Sequence, residues 1–351
     1  MRLRFRVSSG LGWIVALGIV LSGCNPEIEV LAVEKELFAV YGVLHPDKDE
    51  QHIRITKVFQ TQDDALVYAS SQDLTAYGMQ VVLKSWDTTY VGELVPQAPR
   101  EPGLFFEEQG IYRIPTPDGH RLRAGETYQL IITKPDDPEF RIAASTIVPT
   151  KPRFLSPGAP LYSPSQGTYT YPSIDFHRDH VIRFENTTGE GYELRVYLDF
   201  WNGSEVQTSM WGPTRIFREP EGCREDTESG RMCYEIPQRV VPVRFYADVT
   251  QAAGPVRLLD TIRVARSLDS LSRIARVEVT AVDTHLTNYL HSNTAFGFGL
   301  NLLMDRPEVT NISGENIGLF GAINTQERYI FIGPCTRYLA GLSTTAPGWC
   351  F

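Results

Sequence analysis

The chain has 351 residues, with 33 Lys and Arg against 42 Asp and Glu and a formal net charge of −9. That balance excludes the basic stripe nucleic-acid binding requires, and it argues against adhesion to anionic lipid by charge alone. No stretch beyond the N-terminus is apolar over the roughly 20 residues a membrane-spanning helix needs.

The chain opens with Arg2, Arg4 and Arg6, followed by an apolar run from Leu11 to Leu21 that ends at Leu21-Ser22-Gly23-Cys24. A positive segment, a short apolar segment and small residues before a cysteine, in that order, predict a signal peptide over residues 1–23. The terminal tetrad is a lipobox: the Cys24 thiol takes up a diacylglycerol thioether and becomes the N-terminus of the mature chain. Several acyl chains on one terminus exceed the two-signal threshold for durable anchoring. Losing the leader removes three arginines and no acid, which leaves 30 basic residues against 42 acidic ones and a net charge of −12. Residues 24–35 form the expected acidic tether.

Residues 36–150 carry strand signals. Leu37 to Leu44 is a continuous β-rich run, and Ile53 to Val58 alternates apolar and polar, the period of a strand with one buried face. Met79 to Trp86 and Thr89 to Leu94 predict a hairpin turning at Asp87 and Thr88. Gly110 to Ile114 follows. In Leu122-Arg123-Ala124-Gly125-Glu126-Thr127-Tyr128-Gln129-Leu130, Gly125 sits where a turn demands it, and Tyr128 and Leu130 share a face with Ile132. Such a tyrosine packs at the inter-sheet corner of immunoglobulin-like sandwiches. With Phe140 to Val148, these strands predict an immunoglobulin-like or transthyretin-like β-sandwich.

Pro149 to Pro172 is rich in Pro, Ser and Tyr and reads as the connection between domains, set at residues 151–180. Tyr162, Tyr169 and Tyr171 give it an alternative role as a binding loop. Residues 181–351 are expected to form a second β-rich domain, with strands at Val181–Glu185, Tyr192–Trp201, Val240–Tyr246 and Arg276–Val282. A hairpin turn is expected at Thr187–Gly191. One short helix is predicted from Asp283 to Ser292, opened by a capping residue and carrying Leu286, Tyr289 and Leu290 on one face. Trp201 and Trp211 lie near predicted loops, where an exposed aromatic can touch a ligand.

Beyond Cys24 there are four cysteines, which allow three pairings. The local pairs Cys223–Cys233 and Cys335–Cys350 are favoured, since each closes a loop rich in turn formers and an exported chain meets an oxidising compartment. The rival, a zinc site made from the four, lacks CxxC spacing. No nucleophile elbow, HExxH, phosphate loop or dinucleotide fingerprint is present, so no catalytic residue, metal ligand or cofactor is assigned. His177-Arg178-Asp179-His180 brings two histidines to an acid, but an extended backbone turns the two rings to opposite faces. Asp47, Asp49 and Glu50 read as a charged turn.

Two stretches carry a family resemblance. One is Val277-Glu278-Val279-Thr280-Ala281-Val282-Asp283 with the Tyr-bearing helix after it; the other is Asn311-Ile312-Ser313-Gly314-Glu315-Asn316-Ile317-Gly318-Leu319-Phe320-Gly321. These resemble the closing motifs of the Bacteroidota lipoproteins known as the domain-of-unknown-function 4249 family (DUF4249), with Glu315 in place of a glycine and Asn316 as one additional residue. Ser145–Pro149 is similar to that family's strand at the end of its first domain. The resemblance implies an outer-membrane lipoprotein without established enzymatic activity, accessory to a TonB-dependent outer-membrane transporter. The function expected is therefore non-enzymatic binding of a ligand or partner. A surface-anchored hydrolase with its carboxylates on distant segments and a structural envelope or adhesion component are the alternatives.

Overall fold

The computed structural model describes residues 36–59, 64–98, 109–165, 168–185, 187–217, 231–252, 257–258, 275–295, 310–345 and 347–350. The predicted leader, Cys24, the tether and Cys223 lie outside the described residues. Strands account for 50% of the described residues and helices for 13%, which makes the protein mainly β.

The first half supplies β1 (Phe38–Leu44), β2 (Glu50–Lys57), helix α1 (Ala65–Ser71), β3 (Gln80–Lys84) and β4 (Thr89–Val91). β5 (Glu93–Ala98), β6 (Gln109–Pro115), β7 (Thr127–Lys134) and β8 (Asp137–Ile147) complete it. β4, β3, β7 and β8 form one sheet in that order, while β1, β2, β6 and β5 belong to a larger one. The alternation in β2 and β7 points Ile53, Ile55, Leu130 and Ile132 inward, and the two sheets close over these side chains together with Phe38, Leu83 and Tyr112. This is the first sandwich. Tyr128 is its corner: the ring is 1% exposed, and its hydroxyl oxygen accepts the Arg123 N–H at 2.7 Å. Burial pushes the phenol up to about 12.

The second half supplies β9 (Arg153–Ser156), β10 (Leu161–Ser163), β11 (Thr168–Thr170), β12 (Ser173–Ile174), β13 (His180–Glu185), β14 (Gly191–Trp201) and β15 (Val206–Phe217). Then come β16 (Arg231–Ile236), α2 (Val240–Thr250), β17 (Arg257–Leu258), β18 (Ala275–Val282), α3 (Thr284–Ala295), β19 (Ile317–Tyr329), β20 (Phe331–Ile332) and α4 (Pro334–Leu339). A three-stranded sheet, β16-β13-β9, packs its Phe154, Phe184 and Ile236 against Leu194, Val196 and Val277 of β14 and β18. Phe245 of α2 and Ala340 beyond α4 join that core.

Four expectations are corrected. Residues 151–180 are no free connection: β9 is an edge strand of the second sandwich, and Phe154, Ile174 and Phe176 lie in its core. The prolines fall outside the strands: Pro152 and Pro157 flank β9, and Pro160 and Pro164 flank β10. Val240–Tyr246 is helical, because Val241, Pro242, Phe245 and Val249 make one buried face and a proline in the first turn costs no hydrogen bond. Thr187–Gly191 does not close a hairpin, since β13 and β14 belong to different sheets. The described residues hold four helices rather than one.

The Thr187–Gly191 segment instead builds a second tyrosine corner: the Thr187 N–H donates to the Tyr192 hydroxyl at 2.8 Å, again over five residues. Arg123-Ala124-Gly125-Glu126-Thr127-Tyr128-Gln129-Leu130 and Thr187-Thr188-Gly189-Glu190-Gly191-Tyr192-Glu193-Leu194 thus share the pattern G-E-x-Y-x-L at equivalent joints. It is a short internal repeat, and each copy fixes the entry of a core strand.

β19 joins the two sandwiches. Its residues 323–329 pair antiparallel with β18, and its residues 317–322 pair parallel with β1. The result is a single nine-stranded sheet, β15-β14-β18-β19-β1-β2-β6-β5 with β17 beside β14. Phe320 and Ala322 consequently complete the core of the first sandwich from the far end of the sequence. The residues of the family-like motif hold this joint. Asn311 accepts the Phe320 N–H at 2.9 Å and donates to its carbonyl at 2.6 Å, acting as a substitute strand edge. The additional residue Asn316 accepts the Phe38 N–H at 3.0 Å and pins the start of β1. Asp283 caps α3 by accepting the Leu286 N–H at 2.9 Å, takes a hydrogen bond from the buried Thr146 hydroxyl, and its own N–H donates to Ala322 at 3.0 Å. Gly318 has φ +124°, and a Cβ there would lie 1.9 Å from the Val40 carbonyl oxygen.

Two predictions follow from the joint. Gly318→Ala is expected to cost more than about 2 kcal/mol in urea unfolding, because strain and a backbone clash add. Gly119→Ala, at φ +84° with open space around the site, should cost about 1 kcal/mol. Equal losses would remove the close approach from the explanation. The second concerns Asp283, whose carboxyl burial pushes above 3.8. The folded state then binds this proton more tightly than the unfolded one, so the group's stabilisation is present below 3.8 and is lost as pH rises through the folded value. Asp283→Asn keeps the cap and removes the buried charge. Its stability relative to the parent should improve from about pH 4 to pH 7, measured as the difference in urea midpoints.

Candidate binding face

The face of the large sheet turned away from both cores carries the candidate site. On β1 the inward residues are Phe38, Val40 and Leu44, while Tyr41 and Val43 point outward and are 48% and 42% exposed. The strand is apolar on both faces, and the core covers one of them. Across β19 the outward positions are Ile317, Leu319 and Gly321. α3 lies over the last of these: a Cβ on Gly321 would meet the Leu286 side chain at 2.4 Å. That packing brings Tyr289 of α3 towards Tyr41.

The resulting cleft has a volume of about 600 Å³ and is lined by Tyr41, Val58, Phe59, Tyr289 and Ile317, with Arg54 and Lys57 among its polar groups. Burial, and after it the neighbouring Tyr289 phenol, pushes the Tyr41 phenol above its ordinary value. Phe59 stacks on Tyr68 of α1 at 4.7 Å between ring centroids, which fixes one wall. An open concave surface with two tyrosines, aliphatic side chains and a few polar groups is the composition of a binding cleft for an amphipathic molecule.

Further along β19 the same face is charged. Arg195 bridges Glu193 at 2.5 Å and Glu278 at 3.0 Å, and Arg215 approaches Glu193 at 3.4 Å. Arg276 pairs with Asp199 at 3.4 Å and Glu327 at 3.2 Å and stacks 4.1 Å above the Tyr197 ring. Burial alone would lower the Arg195 guanidinium, but Glu193 and Glu278 outweigh it and hold it above its ordinary value. Burial, then Glu278, pushes the Tyr197 phenol up. Each of these four carboxylates is tied to a guanidinium, an arrangement that makes a rigid polar platform.

The aromatic residues singled out in the sequence are not brought together. Tyr171 is buried, with its ring edge-on to Phe331 at 5.5 Å. Trp211 packs against that core, and Trp201 ends β14 half-buried. Tyr162 and Tyr169 are register partners in the β10–β11 pair. The Cys335–Cys350 disulfide is present with Cα atoms 5.4 Å apart. Cys233 is disulfide-bonded too. Asp47 and Asp49 pair separately, with Lys151 and Arg121, as befits a charged turn.

The fold and this face define a mainly β protein of two sandwiches on one continuous sheet, with an amphipathic cleft on the sheet's outer side. No protein-family model matches the chain, and a search of curated proteins finds no significant match. Because both tyrosines stand on the surface, Tyr41→Ser and Tyr289→Ser should each change stability by less than about 1 kcal/mol, as read from thermal melts. A larger loss would reassign those rings to structural packing.

Proposed function

We propose that this chain is a lipid-anchored, non-enzymatic binding protein of the bacterial envelope, tethered to the outer membrane through Cys24, that engages a ligand or partner at the Tyr41–Tyr289 cleft. The observation carrying this reading is the outward apolar patch on β1 and β19, two strands whose other faces already complete a core. The lipobox ending at Cys24 supports the anchor. The motif around Asn311–Gly321 supports kinship with the lipoproteins of the DUF4249 family, and through that resemblance a TonB-dependent transporter is the partner we favour.

Two measurements test the proposal. Cys24→Ala should move the protein from the membrane fraction to the soluble fraction, and continued retention would refute the lipid anchor. Crosslinking in intact cells, followed by mild detergent extraction and mass spectrometry, should recover a β-barrel transporter with the parent protein. The Tyr41→Ser/Tyr289→Ser double variant should recover several-fold less of it. Absence of any barrel from repeated parent samples counts against the transporter, and equal recovery with the double variant counts against the cleft.

A further inference from the structure

Away from this face, a separate set of side chains gathers where the C-terminus is tied back. Asp175 follows β12, His177 lies two residues on, and Cys335 opens α4. A carboxylate oxygen, an imidazole nitrogen and the sulfur of these three lie within 4.8 Å of one another. The role of Asp175 in the fold is clear. It accepts the N–H groups of Cys335 and Thr336 at 3.1 and 2.7 Å and the Thr336 hydroxyl at 2.7 Å, capping α4 from a distant segment. His177 has no such account. Its side chain is nine-tenths buried, and Nδ1 lies 3.3 Å from Asp175 Oδ1. The ring stands edge-on to Trp349 at 5.5 Å. Both ring nitrogens are buried without a hydrogen-bond partner.

A buried imidazole with neither nitrogen hydrogen-bonded, its Nδ1 in ion-pair contact with a single carboxylate, is costly, and folded proteins rarely keep one without a purpose. An imidazole nitrogen turned towards a carboxylate oxygen and a cysteine sulfur is the donor set of a borderline-soft divalent cation. In this structure Cys335 is bonded to Cys350, so neither sulfur is available as a ligand. Opening the bond would place two thiols beside His177 and Asp175.

We propose that the C-terminal clasp is a redox-gated metal site, closed here as the Cys335–Cys350 disulfide and able, once reduced, to hold one Zn²⁺ through Cys335, Cys350, His177 and Asp175. The reductant is a dithiol. One of its thiolates attacks a sulfur of the disulfide and releases the other cysteine as a thiolate. Its second thiol then resolves the mixed disulfide and leaves as the oxidised partner. Two electrons pass from the dithiol to the protein, and metal binding displaces the two thiol protons. Trp349, adjacent to Cys350, covers the histidine in the closed form.

The test uses the full mature chain with Co²⁺ as a spectroscopic probe and Zn²⁺ as a competitor. After reduction by a phosphine, one equivalent of Co²⁺ should produce thiolate-to-cobalt charge-transfer bands that Zn²⁺ abolishes, and the oxidised protein should produce none. His177→Ala, checked for an unchanged melt in the oxidised state, should weaken cobalt binding more than about tenfold. A measurement free of substitutions stands beside it: one equivalent of Zn²⁺ should shield Cys335 and Cys350 from alkylation while Cys233 reacts. The proposal is overturned by absence of the bands in the reduced chain, by equal cobalt binding in the oxidised chain, by undiminished binding in a folded His177→Ala variant, or by equal shielding of Cys233.

Discussion

The pairing of β19 with two neighbours of opposite direction is the interaction on which the rest of the structure depends. Without its parallel half, β1 would be an open edge, and the first sandwich would lack Phe320 and Ala322. Without its antiparallel half, β18 would lose one of the two neighbours that hold it in the large sheet. The strand serves both because its backbone makes a close approach to Val40 at Gly318, where any Cβ would collide with a carbonyl. Asn311 and Asn316 then satisfy backbone groups that the changeover leaves unpaired. These are polar side chains doing the work of a strand, which is how a sheet changes partners without orphaning its hydrogen-bonding groups.

The same geometry explains the outer face. β1 must be apolar towards the core and lies against another strand on each side, so its outward residues are free to be either polar or apolar. Tyr41 and Val43 are apolar, and α3, whose position is set by the Asp283 cap and by Gly321, delivers Tyr289 to meet them. The cleft is thus a by-product of the joint. Past Ile323 the face turns polar, and the Arg–Glu lattice there replaces the cover that an apolar face would need.

Much of the fold was legible in the sequence wherever one side of a strand faces water. β2 and β7 announced themselves through their alternation, and Tyr128 through its spacing from Gly125. What failed to read through were segments whose burial is decided by distant partners. Val240–Tyr246 carries β-branched residues, yet its i, i+4 and i+8 positions are the ones the second core accepts. The proline-rich stretch looked like a linker because its prolines forbid a central strand, but they fall between its short strands rather than within them. The cleft left one trace, the unbroken apolar run of Leu37–Leu44, in which alternation fails because neither face is wholly wet. The partner across it, Tyr289, is brought there only by the fold. His177 likewise meets Cys335 through a contact that spacing along the chain does not encode.

The joint also bears on timing. Phe38 and the side chain that pins it are 278 positions apart. A ribosome delivers the chain N-terminus first, so the strands of the first sandwich exist long before the residues that complete their core. Their core is complete only once Phe320 and Ala322 are present. A topology of this kind makes the final closure a slow, long-range event.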